Sequence, residues 1–227
     1  DAITDIAIRS DGTIAISGDD PAAIALGGAQ LTLESRDIEI NPGTRIVAPV
    51  TILRATDFER AGFVGGTSPA VNEDPTLGYV LSQPEIDRID TSSLTISQTR
   101  ISERGVDDVD LVIGDTVFSG SQGAGLSNIA FVIDGPDGAI RVAGSLVYAD
   151  AGIADTLSLS STGRIEVRTP GGIEVIDNDG LPNGSLSLAS GNVWIADTAV
   201  IEQLLVDRDF AGRNDLLSIA AAGSADP

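Results

Sequence analysis

The chain has 227 residues, of which 34 are acidic and 13 basic, giving a net charge of −21, and every basic residue is arginine. Such a negative field repels phosphate backbones and anionic lipid, which excludes nucleic acid and polybasic membrane docking. The absence of Lys, His, Cys and Met further excludes Ser-His-Asp and Cys-His nucleophiles, thiolate or imidazole zinc sites, haem ligation by these residues, Schiff-base lysines and the P-loop lysine.

The length is within reach of one elongated β domain with a substantial core. Without an initiator Met, and with Asp1 leading straight into an apolar pattern, the sequence is expected to be an excised piece of a longer protein. Its longest apolar runs, such as Ile129-Ala130-Phe131-Val132-Ile133, fall far short of the ~18 to 20 residues that span a bilayer, so no membrane insertion is expected. The lack of Cys suits a chain exported unfolded through an oxidising compartment, where premature cross-links would trap it.

In chain order, residues 1–53 carry the apolar-x-apolar triplets Ile6-Ala7-Ile8, Ile14-Ala15-Ile16, Leu31-Thr32-Leu33 and Ile38-Glu39-Ile40. The period is two, so the outer residues of each triplet face one side and the middle residue the other, as in very short strands with one buried face. Turns are signalled between them by Ser10-Asp11-Gly12 and Asn41-Pro42-Gly43. The pattern breaks over residues 54–93, with Pro69, Pro75, Pro84, Gly65-Gly66 and the aromatics Phe58, Phe63 and Tyr79. This stretch is expected to be an extruded insertion. At its end Ser82-Gln83-Pro84-Glu85 has capping-box spacing with Pro in the first turn, predicting a helix of one or two turns on the outside.

Triplets resume over residues 94–197 with Leu94-Thr95-Ile96, Leu111-Val112-Ile113 and Ile140-Arg141-Val142, and continue through Leu146-Val147-Tyr148, Leu157-Ser158-Leu159, Ile165-Glu166-Val167, Ile173-Glu174-Val175, Leu186-Ser187-Leu188 and Val193-Trp194-Ile195. Residues 198–227 are read as a capping helix and tail, because Val200, Ile201, Leu204 and Leu205 share one helical face. Strands this short suit either an antiparallel sandwich of hairpins or a right-handed parallel β-helix. Aromatics make up only 4% of the residues, and a stacked aliphatic interior fits the second better. The fold class read from the sequence is therefore all-β, a right-handed parallel β-helix (solenoid) with a loop and helix insertion and a short C-terminal helix. At about 20 to 25 residues per coil and ~4.8 Å per stacked strand, some eight coils would make a rod about 40 Å long.

Two blocks carry a family resemblance. Leu81-Ser82-Gln83-Pro84-Glu85-Ile86-Asp87-Arg88-Ile89 followed by Leu94-Thr95-Ile96, and the run Gly184-Ser185-Leu186-Ser187-Leu188-Ala189-Ser190-Gly191-Asn192-Val193-Trp194-Ile195 with Ile201-Glu202-Gln203-Leu204-Leu205 and Asp209-Phe210-Ala211-Gly212-Arg213 after it, resemble the filamentous-haemagglutinin-like large exoproteins, the passengers of two-partner secretion. The family's amino-terminal Asn-Pro-Asn motifs are missing, and Asn41-Pro42-Gly43 reads as a turn, so the resemblance implies an interior or distal segment. It further implies secretion to the bacterial cell surface and an adhesin or scaffold role. Its partners would be a host, cell-surface or matrix protein or glycan, with an outer-membrane secretion partner for the full-length protein.

Several clusters bear on chemistry. Asp177-Asn178-Asp179-Gly180-Leu181-Pro182-Asn183-Gly184 offers oxygen ligands for Ca²⁺, yet Val175 stands where an EF-type loop needs an acid, and a turn is the expected reading. Asp107, Asp108 and Asp110 read as a solvated acidic loop. Arg141, Arg164, Glu166 and Arg168 evoke the acid and base pairs of polysaccharide lyases, but Glu166 sits at an outward position where cross-strand Arg and Glu pairing is ordinary. Trp194 is outward too, fit either to stack on a sugar or to be covered by the Thr198 to Leu205 helix. Phe58, Phe63 and Tyr79 are expected to dock onto the rod. No catalytic residue, metal or cofactor is assigned. The primary expectation is a non-enzymatic rod. A carbohydrate-active enzyme using clustered Asp and Arg, and a binding module acting through residues 54–93, are the alternatives.

Overall fold

A strand three to seven residues long cannot hold its register alone, and is stable only when each edge meets another strand. In the computed structural model of the chain, that need is met by repeated parallel stacking. The structure describes residues 5–18, 24–57, 60–66, 77–99, 109–120, 125–135, 137–168, 172–195, 200–201 and 216–221, with the backbone alone for residues 77, 200–201 and 216–221.

The chain makes successive passes of three strands. The first lays down β1 (Asp5–Arg9), β2 (Thr13–Ile16) and β3 (Ile24–Ala25), and the second β4 (Gln30–Ser35), β5 (Asp37–Ile40) and β6 (Ile46–Val47). The third holds β7 (Val50–Ala55), β8 (Ala61–Val64), β9 (Leu77–Leu81), the helix α1 (Gln83–Ile86) and β10 (Ile89–Asp90). After it come β11 (Ser93–Thr99), β12 (Leu111–Ile113) and β13 (Thr116–Ser119), then β14 (Asn128–Asp134), β15 (Ala139–Val142) and β16 (Ser145–Ala149). The sixth pass is β17 (Thr156–Ser161), β18 (Arg164–Val167) and β19 (Gly172–Val175). The seventh is β20 (Ser185–Ser190), β21 (Asn192–Ile195) and β22 (Val200–Ile201), and β23 (Leu216–Ala221) follows.

Corresponding strands collect into three walls. Sheet 1 has eight strands, in the order β1-β4-β7-β11-β14-β17-β20-β23. Sheet 2 runs β9-β8-β12-β15-β18-β21, with the pair β2-β5 beyond β9, and sheet 3 is in two pieces, β3-β6-β10 and β13-β16-β19-β22. Every ladder between these strands is parallel. The chain is thus all-β with parallel sheets and almost no helix, and a sandwich built from hairpins, which requires antiparallel neighbours, does not fit.

In-register stacking lines up the buried residues. One inner column of sheet 1 runs Leu31, Thr51, Leu94, Ile129, Leu157 and Leu186, and the next Leu33, Leu53, Ile96, Phe131, Leu159 and Leu188, all buried. The interior is less purely aliphatic than the composition suggests. Tyr79, Tyr148, Phe118 and Phe131 are its largest fully buried side chains, and the rings of Phe118 and Phe131 meet edge to face at 6.0 Å. At the corner between sheets 1 and 2 the passes come so close that a Cβ on Gly163 would stand 2.5 Å from the Gly138 carbonyl oxygen. Ser190, at the inner end of β20, closes the same corner by donating to the Gly163 carbonyl at 2.8 Å.

Three expectations change. Residues 54–93 are not an extruded insertion: β8 and β9 sit side by side in sheet 2 and β10 in sheet 3, because Phe63 to Val64 and Val80 to Leu81 keep the alternation that the prolines obscured. In place of a C-terminal helix, Val200–Ile201 pairs with β19 and Leu216–Ala221 with β20, since both stretches also satisfy a strand period; residues 202–215 lie outside those described. The first two passes keep to 20 to 25 residues, with sheet 1 strands starting at Asp5, Gln30 and Val50, but the later ones are longer: the next sheet 1 strands start at Ser93, Asn128, Thr156, Ser185 and Leu216, intervals of 28 to 43.

The predicted helix is present, capped as its sequence requires. Glu85 reaches back to the Ser82 backbone N–H at 2.9 Å and accepts from the Ser82 hydroxyl at 2.6 Å. It does not ride outside. Glu85 and Ile86 are buried, and the helix stands where a strand would, meeting exposed strand edges with side chains. Below, Glu85 accepts the Ile40 N–H at 3.1 Å while Arg88 donates to the Ile40 carbonyl. Above, the Gln83 amide both donates to the Val117 carbonyl and accepts the Val117 N–H, each at 2.8 Å. Gly65, with φ +99°, turns the chain off β8 in this region, a conformation L side chains rarely adopt.

Candidate functional site

Along a β-strand, residues two apart share a side, so Arg164 and Glu166 project from the outer face of β18, and Arg168 just beyond its end joins them. Parallel pairing puts Arg141 of β15 beside Glu166 on one flank and Trp194 of β21 on the other. Sheet stacking thereby gathers five side chains spread over more than fifty residues of sequence into one patch on sheet 2.

Glu166 is the hub. Its Oε1 accepts from Arg164 Nε at 2.7 Å, and its Oε2 from Arg141 Nε at 2.8 Å and from Arg168 Nε and Nη2 at 2.9 Å each. Although its position is outward, the three guanidinium groups roof it, leaving its side chain 10% exposed. Burial by itself would raise the carboxyl pKa, but the hydrogen bonds from Arg141 and Arg164 and the charges of Arg141 and Arg168 outweigh it and hold the pKa below its ordinary value. The cluster has three cationic groups around one anion in a chain of net charge −21. Trp194 is 49% exposed, and the Arg168 guanidinium lies over its ring at 5.7 Å from the centroid.

Glu166 is poorly placed for acid or base chemistry. A general acid needs a raised carboxyl pKa and a base needs an open lone pair, whereas Glu166 is held ionised with both oxygens occupied. The cross-strand pairing expected from the sequence is therefore what the structure shows between Arg141 and Glu166. The alternation of Arg164, Glu166 and Arg168 was readable directly. Their junction with Arg141 and Trp194 was not, because it depends on which passes stack.

The other predicted clusters are separate from this patch. In the Asp177 to Gly184 stretch, Asp177 Oδ1 accepts the N–H groups of Asp179 at 2.9 Å and Leu181 at 3.0 Å, a tight turn closed by the Ile176 to Pro182 bridge. Asp110 is not in a solvated loop: it is buried, and its Oδ2 accepts the Ala139 N–H at 2.8 Å. Asp107 and Asp108 lie outside the described residues, as does Phe58. Tyr79 is fully buried and Phe63 half-buried against Gly114 and Gly66, so both dock onto the sheets as expected. Among the described residues no group of three or more carboxylates converges as a metal would need.

A second polar cluster, missed at the sequence level, lies between β5, β9 and α1. Asp37 accepts the Val80 N–H at 3.1 Å. Burial raises its pKa, reinforced by the charges of Glu85 and Glu39 and opposed by backbone hydrogen bonds from Val80 and Ile38. The Tyr79 hydroxyl beneath is buried with no hydrogen-bond partner, and burial pushes its pKa well up. Nearby, buried Asp57 pairs with Arg60, and Gln98 fills an inner position of β11 by bonding the Gly62 N–H and the Asp57 and Arg60 carbonyls. These groups stitch the widened third pass together. No model of a protein family, no curated protein and no solved structure matches the chain.

Proposed function

We propose that the chain is a right-handed parallel β-helical segment of a secreted, surface-displayed bacterial exoprotein, serving as a rigid adhesin rod or scaffold rather than as an enzyme. The carrying observation is the unbroken eight-stranded parallel ladder of sheet 1, each neighbour reached only after the chain has visited the other two walls. Such stacking buries continuous columns of Leu, Ile and Val, supplying cooperative pass-on-pass stability without disulfides. It also lets folding start at any pass and propagate, which suits a chain exported unfolded. The acidic surface keeps such a rod soluble. The resemblance of the Leu81 to Ile96 and Gly184 to Ile195 blocks to filamentous-haemagglutinin-like exoproteins supports display at the cell surface. It also supports an outer-membrane secretion partner and host or matrix contacts for the whole protein.

The enzyme alternative loses its best candidates, because Glu166 is pinned by arginine and Asp177 is engaged in its own turn. The binding-module alternative narrows, since β8, β9 and α1 belong to the walls. Circular dichroism tests the stacked fold: a strand-dominated spectrum is expected, and a helix-dominated one contradicts the reading. Some eight stacked strands at ~4.8 Å give this segment an axial length of about 35 to 40 Å. Expressed behind a two-partner secretion domain, the segment should become accessible to protease on intact cells, and persistent protection would argue against display.

A further inference from the structure

The arginine and tryptophan patch is where, among the described residues, this acidic chain concentrates positive charge beside an exposed aromatic ring. Holding Glu166 does not use up its donors. Arg141 meets Glu166 through Nε alone, and Arg168 through Nε and Nη2, so of the five N–H groups each guanidinium carries, most are not engaged by Glu166. Arg168 is 48% exposed and lies over Trp194, itself half exposed. The Arg168 guanidinium and the indole lie together on the outer face of sheet 2, with Arg141 two strands across from Trp194 on the far side of Glu166. Glu166 acts as a positioning residue, anchoring three long side chains that would otherwise lose considerable freedom on binding.

The geometry points to a binding site for a carboxylated sugar, its carboxylate on the outer nitrogens of Arg141 and Arg168 and its ring against Trp194. A guanidinium fork matches a planar carboxylate in two parallel hydrogen bonds, and an indole face offers the apolar platform on which a sugar ring stacks. Long-range electrostatics select the class further. The net charge of −21 opposes a densely charged polyanion, whereas one carboxylate per sugar is accommodated by the local excess of arginine. The inference stands on sheet 2 alone and does not depend on surface display.

Trp194 is the chain's single tryptophan, so its emission reports on this site and no other. Titration of the full chain with trigalacturonic acid should give a saturable emission change, matched by calorimetry, with a Kd of about 0.1 to 1 mM. The methyl ester, identical but for its charge, should give none. Arg168→Gln, at an exposed position, should weaken binding at least about tenfold while the chain still melts cooperatively, with Arg141 and Arg164 left to hold Glu166. Arg168→Lys, which keeps the charge and loses the fork, should weaken it severalfold and serves in place of Arg168→Gln if that variant unfolds. The inference is overturned by the absence of a saturable response, by equal binding of acid and ester, by an equal shift with acetate, or by a heparin-derived oligosaccharide binding more tightly than the uronate.

Discussion

Thr51 stands in the inner column of sheet 1 with Leu31 below and Leu94 above, and its buried hydroxyl has no hydrogen-bond partner. An unsatisfied buried hydroxyl carries a desolvation cost without return. Thr51→Val, nearly the same shape and still β-branched, should therefore stabilise the fold by about 1 kcal/mol in denaturant unfolding; a loss of stability would mean the hydroxyl has a partner. Asp37 makes a second residue-scale case. Because burial raises its pKa above 3.8, the folded state holds the proton more tightly than the unfolded chain, and stability falls as pH rises from 3.8 through the folded value. Asp37→Asn retains an acceptor for the Val80 N–H and removes the charge. It should melt higher than the parent at about pH 7, and the two should converge near about pH 3, where the parent carboxyl is protonated in both states. Thr51 also shows why the face of β7 was illegible: Val50-Thr51-Ile52 has the form of an apolar-x-apolar triplet whose middle residue would face out, yet Thr51 is the buried one and Val50 and Ile52 lie on the other side.

At the scale of elements, α1 matters more for its side chains than for its four helical residues. The Gln83 amide supplies a donor and an acceptor in the spacing of a peptide group, so it completes the exposed edge of β13 as a neighbouring strand would. Gln83→Ala should cost about 1 kcal/mol, since both bonds are solvent-exposed and water recovers part of them. Hydrogen exchange at the Val117 N–H should accelerate selectively, and unchanged exchange there would refute the role. The helix was legible because a capping box is a local signal written in four adjacent residues. Its placement was not, because the groups it satisfies belong to Ile40 and Val117, far away in sequence. The strand at Val200–Ile201 was misread for a related reason: apolar pairs spaced over a few residues fit both periods, and only the waiting edge of β19 decides between them.

For the whole molecule, the dominant electrostatic fact is self-repulsion. A net charge of −21 is spread along the chain, while the ion pairs that offset it are local, such as Arg9 and Arg54 flanking Glu34 on the outer face of sheet 1. Screening at about 0.15 M salt reduces the reach of exposed charges to about 8 Å, against about 30 Å at 0.01 M. The melting temperature should accordingly rise by a few degrees over that range, and a fall would show that ion pairs outweigh the repulsion. Parallel stacking itself was legible, because recurrent short triplets with few aromatics leave little else that can bury them. The register, the length of each pass and the extra strand were not, since they are set by which edges meet and not by any single stretch.

That extra strand shapes the molecule beyond its own pass. Sheet 2 accommodates both β8 and β9 where sheet 1 passes directly from β7 to β11, and α1 fills the corresponding space below β13. Two walls therefore carry a course, about 4.8 Å where it is a strand, that sheet 1 lacks, like masonry with an added row of bricks on two sides. In the rod proposed above, such a course would act as a wedge tilting the later passes toward sheet 1, and a long filament carrying it at intervals would curve at each one.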